Sequence, residues 1–497
     1  MPALSATEDQ HSCTDRIVGA DPNRRLDALF VNAPLRDYTL RPRVNDYTLP
    51  VLGMGYIATY AAQEGFNVGV LDAEAHGLGI AETIRTINLH QPRWVGMNLL
   101  APTYQLSARI ADGLAPAVKL MVGGHHAKAM PRQVLDDPRF RRLHALIIGE
   151  GETRVAALLE DDKRRSELPN VMWRDHLLGT HGVGICPREQ AGLWTAPDIN
   201  ALPYVDRRFL PQDPHHADDG RVEANIVGSR GCPYDCGFCG AAVSQNSDIS
   251  IRTRDPYNII GELDELHDDH GATAFRFVDD LFLGAARIIQ PAMAAFTREK
   301  IGERYVWDAT GRINVLDHAS DGVLDTLAAN GLREVALGIE SGSDRILKAM
   351  DKRITADMTL SVTRRLMERG IGVKGYFILG YPDEQPDDLA ATLAHIRRLW
   401  DLDDHLPGGF RASVFEFRPY PGSPVWAQLV KAGHDPAAMM DYSDVDLTEH
   451  GANESMRQRD EFNFSVGIQF GGTPLPEVRR HLAALARQQH ERTGVPA

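Results

Sequence analysis

The stretch Arg230-Gly231-Cys232-Pro233-Tyr234-Asp235-Cys236-Gly237-Phe238-Cys239-Gly240 crowds three cysteines into eight positions, directly after an apolar run that reads as a strand over residues 223–229. Thiolates at Cys-x-x-x-Cys-x-x-Cys spacing fit three irons of a cubane [4Fe–4S] cluster. Most such clusters take four cysteines, so a missing fourth leaves one iron open to a substrate or cofactor. A structural zinc site also wants four ligands, and no second Cys or His pair follows at the expected distance. Three inert buried thiols are the bland alternative, but free cysteines rarely crowd onto a glycine-flanked loop without a metal.

Downstream of this loop, strand and helix alternate. Candidate strands are residues 223–229, 274–279, 305–310, 334–340, 373–380 and 412–419. Asp255-Pro256 opens one intervening helix as N-cap and first-turn proline, and Thr355 caps another that Gly370 closes. Six such units predict a parallel sheet curled into a partial (β/α)6 TIM-type barrel, with its chemistry at the carboxyl ends of the strands. Upstream, strands at 26–32, 67–71, 94–99, 118–122 and 146–148 alternate with helices at 52–63, 79–89 and 105–114. That pattern predicts a second α/β domain, a doubly wound, Rossmann-like parallel sheet. The expected division is a flexible tail at 1–25, the doubly wound domain at 26–160, a proline-rich connector at 161–222, the barrel at 223–430 and a separate region at 431–497 with a final helix.

Composition bounds the rest. A chain of 497 residues exceeds one hydrophobic core. Lys plus Arg is 53 against 68 for Asp plus Glu, a formal charge of -15. This argues against nucleic acid as a general partner, because displacing phosphate counterions takes a cationic surface. No stretch reaches the roughly 18 uncharged apolar residues of a membrane span. Residues 1–13 lack the basic start and apolar core of a secretory signal. With an odd count of five cysteines, a reducing, cytoplasmic setting is expected, and Cys13 and Cys186 read as incidental thiols.

The cysteine loop, with an aromatic just before its third cysteine, resembles the signature of the radical S-adenosylmethionine (radical SAM) enzymes. Later stretches match in order: Phe277-Val278-Asp279-Asp280-Leu281-Phe282, Ala309-Thr310-Gly311-Arg312-Ile313, Leu337-Gly338-Ile339-Glu340-Ser341-Gly342-Ser343, Tyr376-Phe377-Ile378-Leu379-Gly380-Tyr381-Pro382 and Arg418-Pro419-Tyr420-Pro421-Gly422-Ser423-Pro424. The resemblance implies that Cys232, Cys236 and Cys239 hold the cluster, whose open iron chelates S-adenosylmethionine. It implies further that Phe238 lies by the adenine with Ile378 facing it, and that Glu340 accepts from the ribose hydroxyls or the amine. Arg312 would pair with the methionyl carboxylate, which suits a fork-shaped donor. Asp279 and Asp280 stand where many members carry Gly-Gly-Glu for the amino group, a departure from the family pattern.

Tyr47-Thr48-Leu49-Pro50-Val51-Leu52-Gly53-Met54-Gly55-Tyr56-Ile57, Val70-Leu71-Asp72-Ala73, Gly123-Gly124-His125-His126-Ala127 and Gly149-Glu150-Gly151-Glu152 together resemble the cobalamin-binding domain fused to one subgroup of these enzymes. Contacts to cobalamin are then implied for Pro50, Gly53, Asn98, Thr103, Gly123, Gly124, His125, Gly149 and Glu150. Gly123-Gly124 would let backbone approach a bulky ligand closely. The alternatives are a nucleotide site, for which Gly53-Met54-Gly55 lacks the further glycine, and a sheet with no ligand. In Asp72-Ala73-Glu74-Ala75-His76-Gly77 the histidine is two residues too far for the lower-axial motif Asp-x-His-x-x-Gly. His76 is therefore expected as an exposed loop residue off the cobalt, with His125 and His126 near the corrin periphery.

The resemblance implies a cobalamin-dependent radical SAM methyltransferase. One S-adenosylmethionine methylates cobalamin, and a second is cleaved reductively to a 5′-deoxyadenosyl radical. That radical takes hydrogen from an unactivated carbon of a small-molecule intermediate, which then receives the methyl group. A reducing partner such as flavodoxin or ferredoxin would supply electrons. Rival readings keep both cofactors without methyl transfer (ring contraction, cyclisation or oxidation), or methylate phosphorus or an sp2 carbon. Methylthiolation is set aside because it normally needs a second cluster, and only Cys13 precedes residue 186. A cobalamin carrier or light sensor would not need the three clustered cysteines.

Overall fold

The computed structural model describes residues 16–40, 48–175, 182–185, 196–217, 220–245, 251–444 and 464–493. They form two compact units, Met1–Asp213 and Pro214–Ala497. In the first, β1 (Ala28–Asn32), β2 (Val68–Asp72), β3 (Trp94–Asn98), β4 (Lys119–Gly123) and β5 (Leu143–Ile147) run parallel in the order β2-β1-β3-β4-β5. Their sequences are near-continuous apolar runs because helices cover both faces. Leu52–Gln63 and Glu152–Glu160 bury Met54, Ala58, Leu158 and Leu159 on one side. Ile80–His90 and Tyr104–Asp112 bury Ile87, Ala108 and Ile110 on the other. The order reverses between β1 and β3, which opens a crevice at their carboxyl ends.

The expected boundaries of this unit need correction at both ends. Residues 16–25 are not a free tail: Val18 and Val70 exchange backbone hydrogen bonds of 3.0 Å, and a Cβ on Gly69 would lie 2.7 Å from Ile17 Cγ2. β2 is an edge strand, and its open N–H and C=O groups need cover. The stretch 161–222 is not a separate connector. β6 (Val171–Arg174) and β7 (Val183–Ile185) extend the sheet antiparallel beyond β5, and Val205, Phe209 and Leu210 are buried in the same unit. Residues 1–15 and 186–195, with Cys13 and Cys186, lie outside the described residues.

Gly124 shows what the glycine pair after β4 is for. It has φ +94°, and a Cβ there would stand 2.0 Å from Asn98 Oδ1 and 2.9 Å from the Leu99 carbonyl. Close packing of β3 against β4, rather than room for a ligand, excludes a side chain at this position. A Cβ on Gly123 would meet only the Ile147 carbonyl, at 3.4 Å.

In the second unit, β8 (His215–His216) pairs antiparallel with β9 (Val222–Ile226), and β10 (Ser229–Arg230) pairs with β11 (Arg252–Thr253). β9 is followed in strict order by parallel β12 (Ala274–Phe277), β13 (Val306–Gly311), β14 (Leu332–Glu340), β15 (Gly372–Leu379) and β16 (Phe410–Glu416). This is the expected six-stranded parallel sheet, open between β16 and β8. Stacked Phe277 and Phe282, with Trp307 edge-on to both, anchor its core. The final helix, Leu475–Thr493, does not belong to a separate region. It buries Val478, Leu482 and Leu485 in the barrel core, and Gln489 Oε1 accepts from Trp400 Nε1 at 2.9 Å and from the Ala412 amide at 2.7 Å. Here a helix covers an otherwise open strand edge, that of β16.

Two stability measurements follow. Gln489→Ala strands two buried donors and is expected to cost about 1–3 kcal/mol, read as a lower thermal unfolding transition; an unchanged transition would mean the helix does not close that edge. Gly124→Ala is expected to lower the transition clearly more than Gly123→Ala, because it combines a left-handed φ with backbone collision; equal effects would contradict the packing account.

Candidate functional site

The cysteine loop leaves β10 through Gly231, whose φ of +86° suits glycine. Asp279, just past β12, holds the loop's root: its Oδ1 accepts from the amides of Gly228 and Ser229, each at 2.8 Å. Burial pushes the Asp279 carboxyl up to about 7. Within the loop, the Cys239 amide donates to the Cys236 carbonyl at 3.0 Å and Val243 to Tyr234 at 3.0 Å. Two later strand-end loops grip it as well. The Gly237 amide donates to the Met350 carbonyl at 2.8 Å, and the Val425 amide donates to the Gly237 carbonyl at 2.8 Å. A Cβ on Gly237 would come within 2.9 Å of Tyr381 Oη. Loops after β9, β14, β15 and β16 therefore meet at one glycine between the second and third cysteines.

The three thiols suit a metal cluster better than a bare site. Burial pushes the Cys239 thiol up to about 11 and raises that of Cys232, and in each case Asp280 and the neighbouring cysteines raise it further. Ionising Cys232 and Cys239 costs free energy unless bound cations neutralise them. Among the described residues, no three His, Cys, Asp or Glu groups gather as they would around a single ion.

Around this loop the family-implied residues fall into one neighbourhood, with partners of their own. Phe238 and Ile378 pack in the same apolar cluster with Met350 and Tyr381. Glu340 ends β14 with a left-handed φ of +65°, at a shift in register against β15. Its carboxylate is buried and accepts from Lys352 Nζ at 2.6 Å. Lys352, 5.5 Å from the Phe238 ring centroid, was not singled out in the sequence. It lies in a short connection between helices, and no local pattern marks a buried lysine there. Arg312 donates to Cys236 Sγ at 3.2 Å, to the Lys352 carbonyl at 2.6 Å and to Asn314 Oδ1 at 3.2 Å. Its guanidinium carbon lies 3.8 Å from the Tyr234 ring centroid.

In the first unit, the residues implied for cobalamin gather at the carboxyl edge of the sheet. Asn98 and Gly123 end β3 and β4, Gly124 follows at once, and Thr103 is buried at the start of Tyr104–Asp112. Pro50 leads into Leu52–Gln63, where Gly53 is exposed with open space around its Cβ position. Gly149, at φ +94°, and Glu150 form the turn after β5. Arg154, missed from sequence, clamps that turn: Nε donates to the Glu150 carbonyl at 3.1 Å and Nη1 to those of Ile148 and Pro169 at 2.9 and 3.1 Å. On the loop after β1, the Leu35 amide and the Tyr38 hydroxyl donate to Glu74 at 2.7 and 2.6 Å. His125 is exposed. His126 is buried against Tyr104, ring centroids 4.4 Å apart, and burial lowers its pKa to about 4. His76, expected exposed, is half-buried in the turn after β2. Tyr47 lies outside the described residues.

Residues 226–396 match the radical SAM superfamily and residues 43–159 match the B12 binding domain. An uncharacterized methyltransferase of Pyrococcus horikoshii is 26% identical over 399 residues, 78% of this chain and 80% of that protein. The cytidylyl-2-hydroxyethylphosphonate methyltransferase of Streptomyces wedmorensis is 24% identical over 433 residues, 77% of this chain and 78% of that one. Among solved structures, the radical S-adenosylmethionine methyltransferase TsrM of Kitasatospora setae, with tryptophan substrate and an S-adenosylmethionine analog bound, superposes with a TM-score of 0.66 at 17% identity. The match covers 93% of this chain and 89% of that chain. With both matches in one chain, the protein joins a radical SAM domain to a B12-binding domain.

Proposed function

We propose that the protein moves a methyl group from S-adenosylmethionine, by way of cobalamin, to an unactivated carbon of a small-molecule biosynthetic intermediate. The observation that carries this reading is a three-thiol loop clamped at the carboxyl ends of barrel strands, in a chain that also presents a glycine-edged crevice in a B12-binding domain. When bound, the cofactors supply reductive cleavage of a sulfonium S–C bond and a transferable methyl group.

The chain's own residues bind, orient and shield. Cys232, Cys236 and Cys239 hold the cluster, and Phe238 with Ile378 forms an apolar wall for the adenine. Glu340, fixed by Lys352, faces the ribose or amine; a left-handed non-glycine residue costs of order 1–3 kcal/mol and persists where its surroundings over-determine it. Pro50, Gly53, Asn98, Thr103, Gly123, Gly124, His125, Gly149 and Glu150 would border the corrin. Asp279 acts on the loop's backbone. A one-electron carrier such as flavodoxin or ferredoxin reduces the cluster in a cytoplasmic setting. Small molecules as substrates are in keeping with the net charge of -15 and with the tryptophan held by the Kitasatospora enzyme. Among the described residues, no helix is long and apolar enough to cross a membrane.

Anaerobic reconstitution is expected to yield iron, sulfide and one corrinoid per chain, and product one CH2 heavier than substrate, with 5′-deoxyadenosine formed in step. Loss of hydrogen without added mass would transfer the reading to oxidation or cyclisation, and methylation without 5′-deoxyadenosine to a phosphorus or sp2-carbon target. Replacing Cys232, Cys236 and Cys239 together with Ala should remove the cluster absorbance and all turnover; surviving turnover would reject the assignment.

A further inference from the structure

Arg312 is a buried cation, 5% exposed, and each of its three guanidinium nitrogens donates to a neighbour. Nη1 reaches Cys236 Sγ at 3.2 Å, Nη2 the Lys352 carbonyl at 2.6 Å and Nε the Asn314 side chain at 3.2 Å. The Tyr234 ring, from the cysteine loop itself, covers one face at 3.8 Å. Contacts on the edge, both ends and one face fix the guanidinium in a single pose. The pose points it at a thiol sulfur, where a side chain meant to receive a carboxylate would present its fork outward.

We propose that Arg312 is a positioning residue that sets the reduction potential of the cluster, by donating a charge-assisted N–H to the Cys236 sulfur. The inference rests on Cys236 being a cluster ligand. Gaining an electron adds one negative charge to a cluster whose thiolates are already anionic. A permanent positive charge and an N–H at sulfur stabilise that added charge, most strongly where water is excluded. Hydrogen bonds to sulfur are one of the means by which a protein tunes such potentials. Of the other cations close by, Lys352 has its charge taken by Glu340 at 2.6 Å and Arg353 is paired with Asp351 at 3.1 Å, whereas Asp280 acts on Cys232 and Cys239 with the opposite sign. Arg312 therefore counters the acidic side of the site.

The test uses full-length protein reconstituted without S-adenosylmethionine, so that a role toward the methionyl carboxylate does not enter the readout. Iron and sulfide are counted first, and the midpoint potential is then read by electron paramagnetic resonance across a redox titration. Arg312→Met is expected to load a normal cluster and to cut its reduced-to-oxidised ratio at fixed potential about tenfold, a midpoint lower by about 59 mV for a one-electron couple. Arg312→Lys keeps the charge but cannot reach both Sγ and the Lys352 carbonyl, so its midpoint falls by less. An unchanged midpoint in Arg312→Met, with weakened S-adenosylmethionine binding, overturns the proposal in favour of the carboxylate role. If Arg312→Met retains no iron, Arg312→Lys decides: a lowered midpoint supports the proposal and an unchanged one overturns it. Failure of the unmodified protein to hold iron would instead defeat the functional reading on which the inference stands.

Discussion

Three thiols, two of them with pKa values raised by burial and by nearby negative charge, must be held on a single short loop, and much of the second unit answers to that requirement. Burial and mutual repulsion make the metal-free, ionised loop unfavourable. Backbone hydrogen bonds lie within the loop, and it is fastened from outside as well, by the Asp279 carboxylate at its root, the Met350 carbonyl and the Val425 amide at its middle, and Arg312 at the second cysteine. Each of these groups stands just beyond the carboxyl end of a different strand or in the loop that follows it. The parallel sheet thereby gathers points far apart in sequence around one glycine, Gly237.

The same neighbourhood concentrates buried polar groups in linked pairs. Arg312 meets the Lys352 carbonyl, and the Lys352 ammonium meets Glu340. A buried ion pair contributes little net stability, yet removing one partner leaves the other charge stranded. Such a chain fixes geometry more than it adds stability. Glu340 fits this picture, since its left-handed backbone conformation is tolerated at a strand end where the ladder with β15 changes register. In the first unit, Arg154 plays a comparable part by drawing three carbonyls of the turn after β5 and its surroundings onto one guanidinium.

Edges explain where the segmentation read from sequence and the observed units diverge. β2 and β16 each leave a row of unpaired backbone groups. Val18 covers the first, and the helix Leu475–Thr493 covers the second through Gln489. The hairpin strands β6 and β7 extend the first sheet beyond β5. Segments that look peripheral in composition, polar or proline-rich, are drawn into the units because an open sheet edge needs hydrogen-bond partners that short periodic stretches do not advertise.

Local chemistry was legible in the amino-acid sequence alone. The spacing of Cys232, Cys236 and Cys239 pointed to a three-thiol cluster loop, and apolar runs alternating with helical periodicity predicted both parallel sheets, because these signals depend only on residues near one another along the chain. The gathering of Phe238, Asp279, Arg312, Glu340 and Ile378 around that loop was anticipated through family resemblance, but their partners were not. That Asp279 serves backbone amides, that Arg312 aims at sulfur, that Lys352 neutralises Glu340 and that Gly124 yields to Asn98 were decided only by tertiary structure. Each depends on groups from separate strand ends meeting at distances of a few ångströms, and hydrogen-bond direction at such a junction is set by packing across the sheet rather than by anything written in the neighbouring residues.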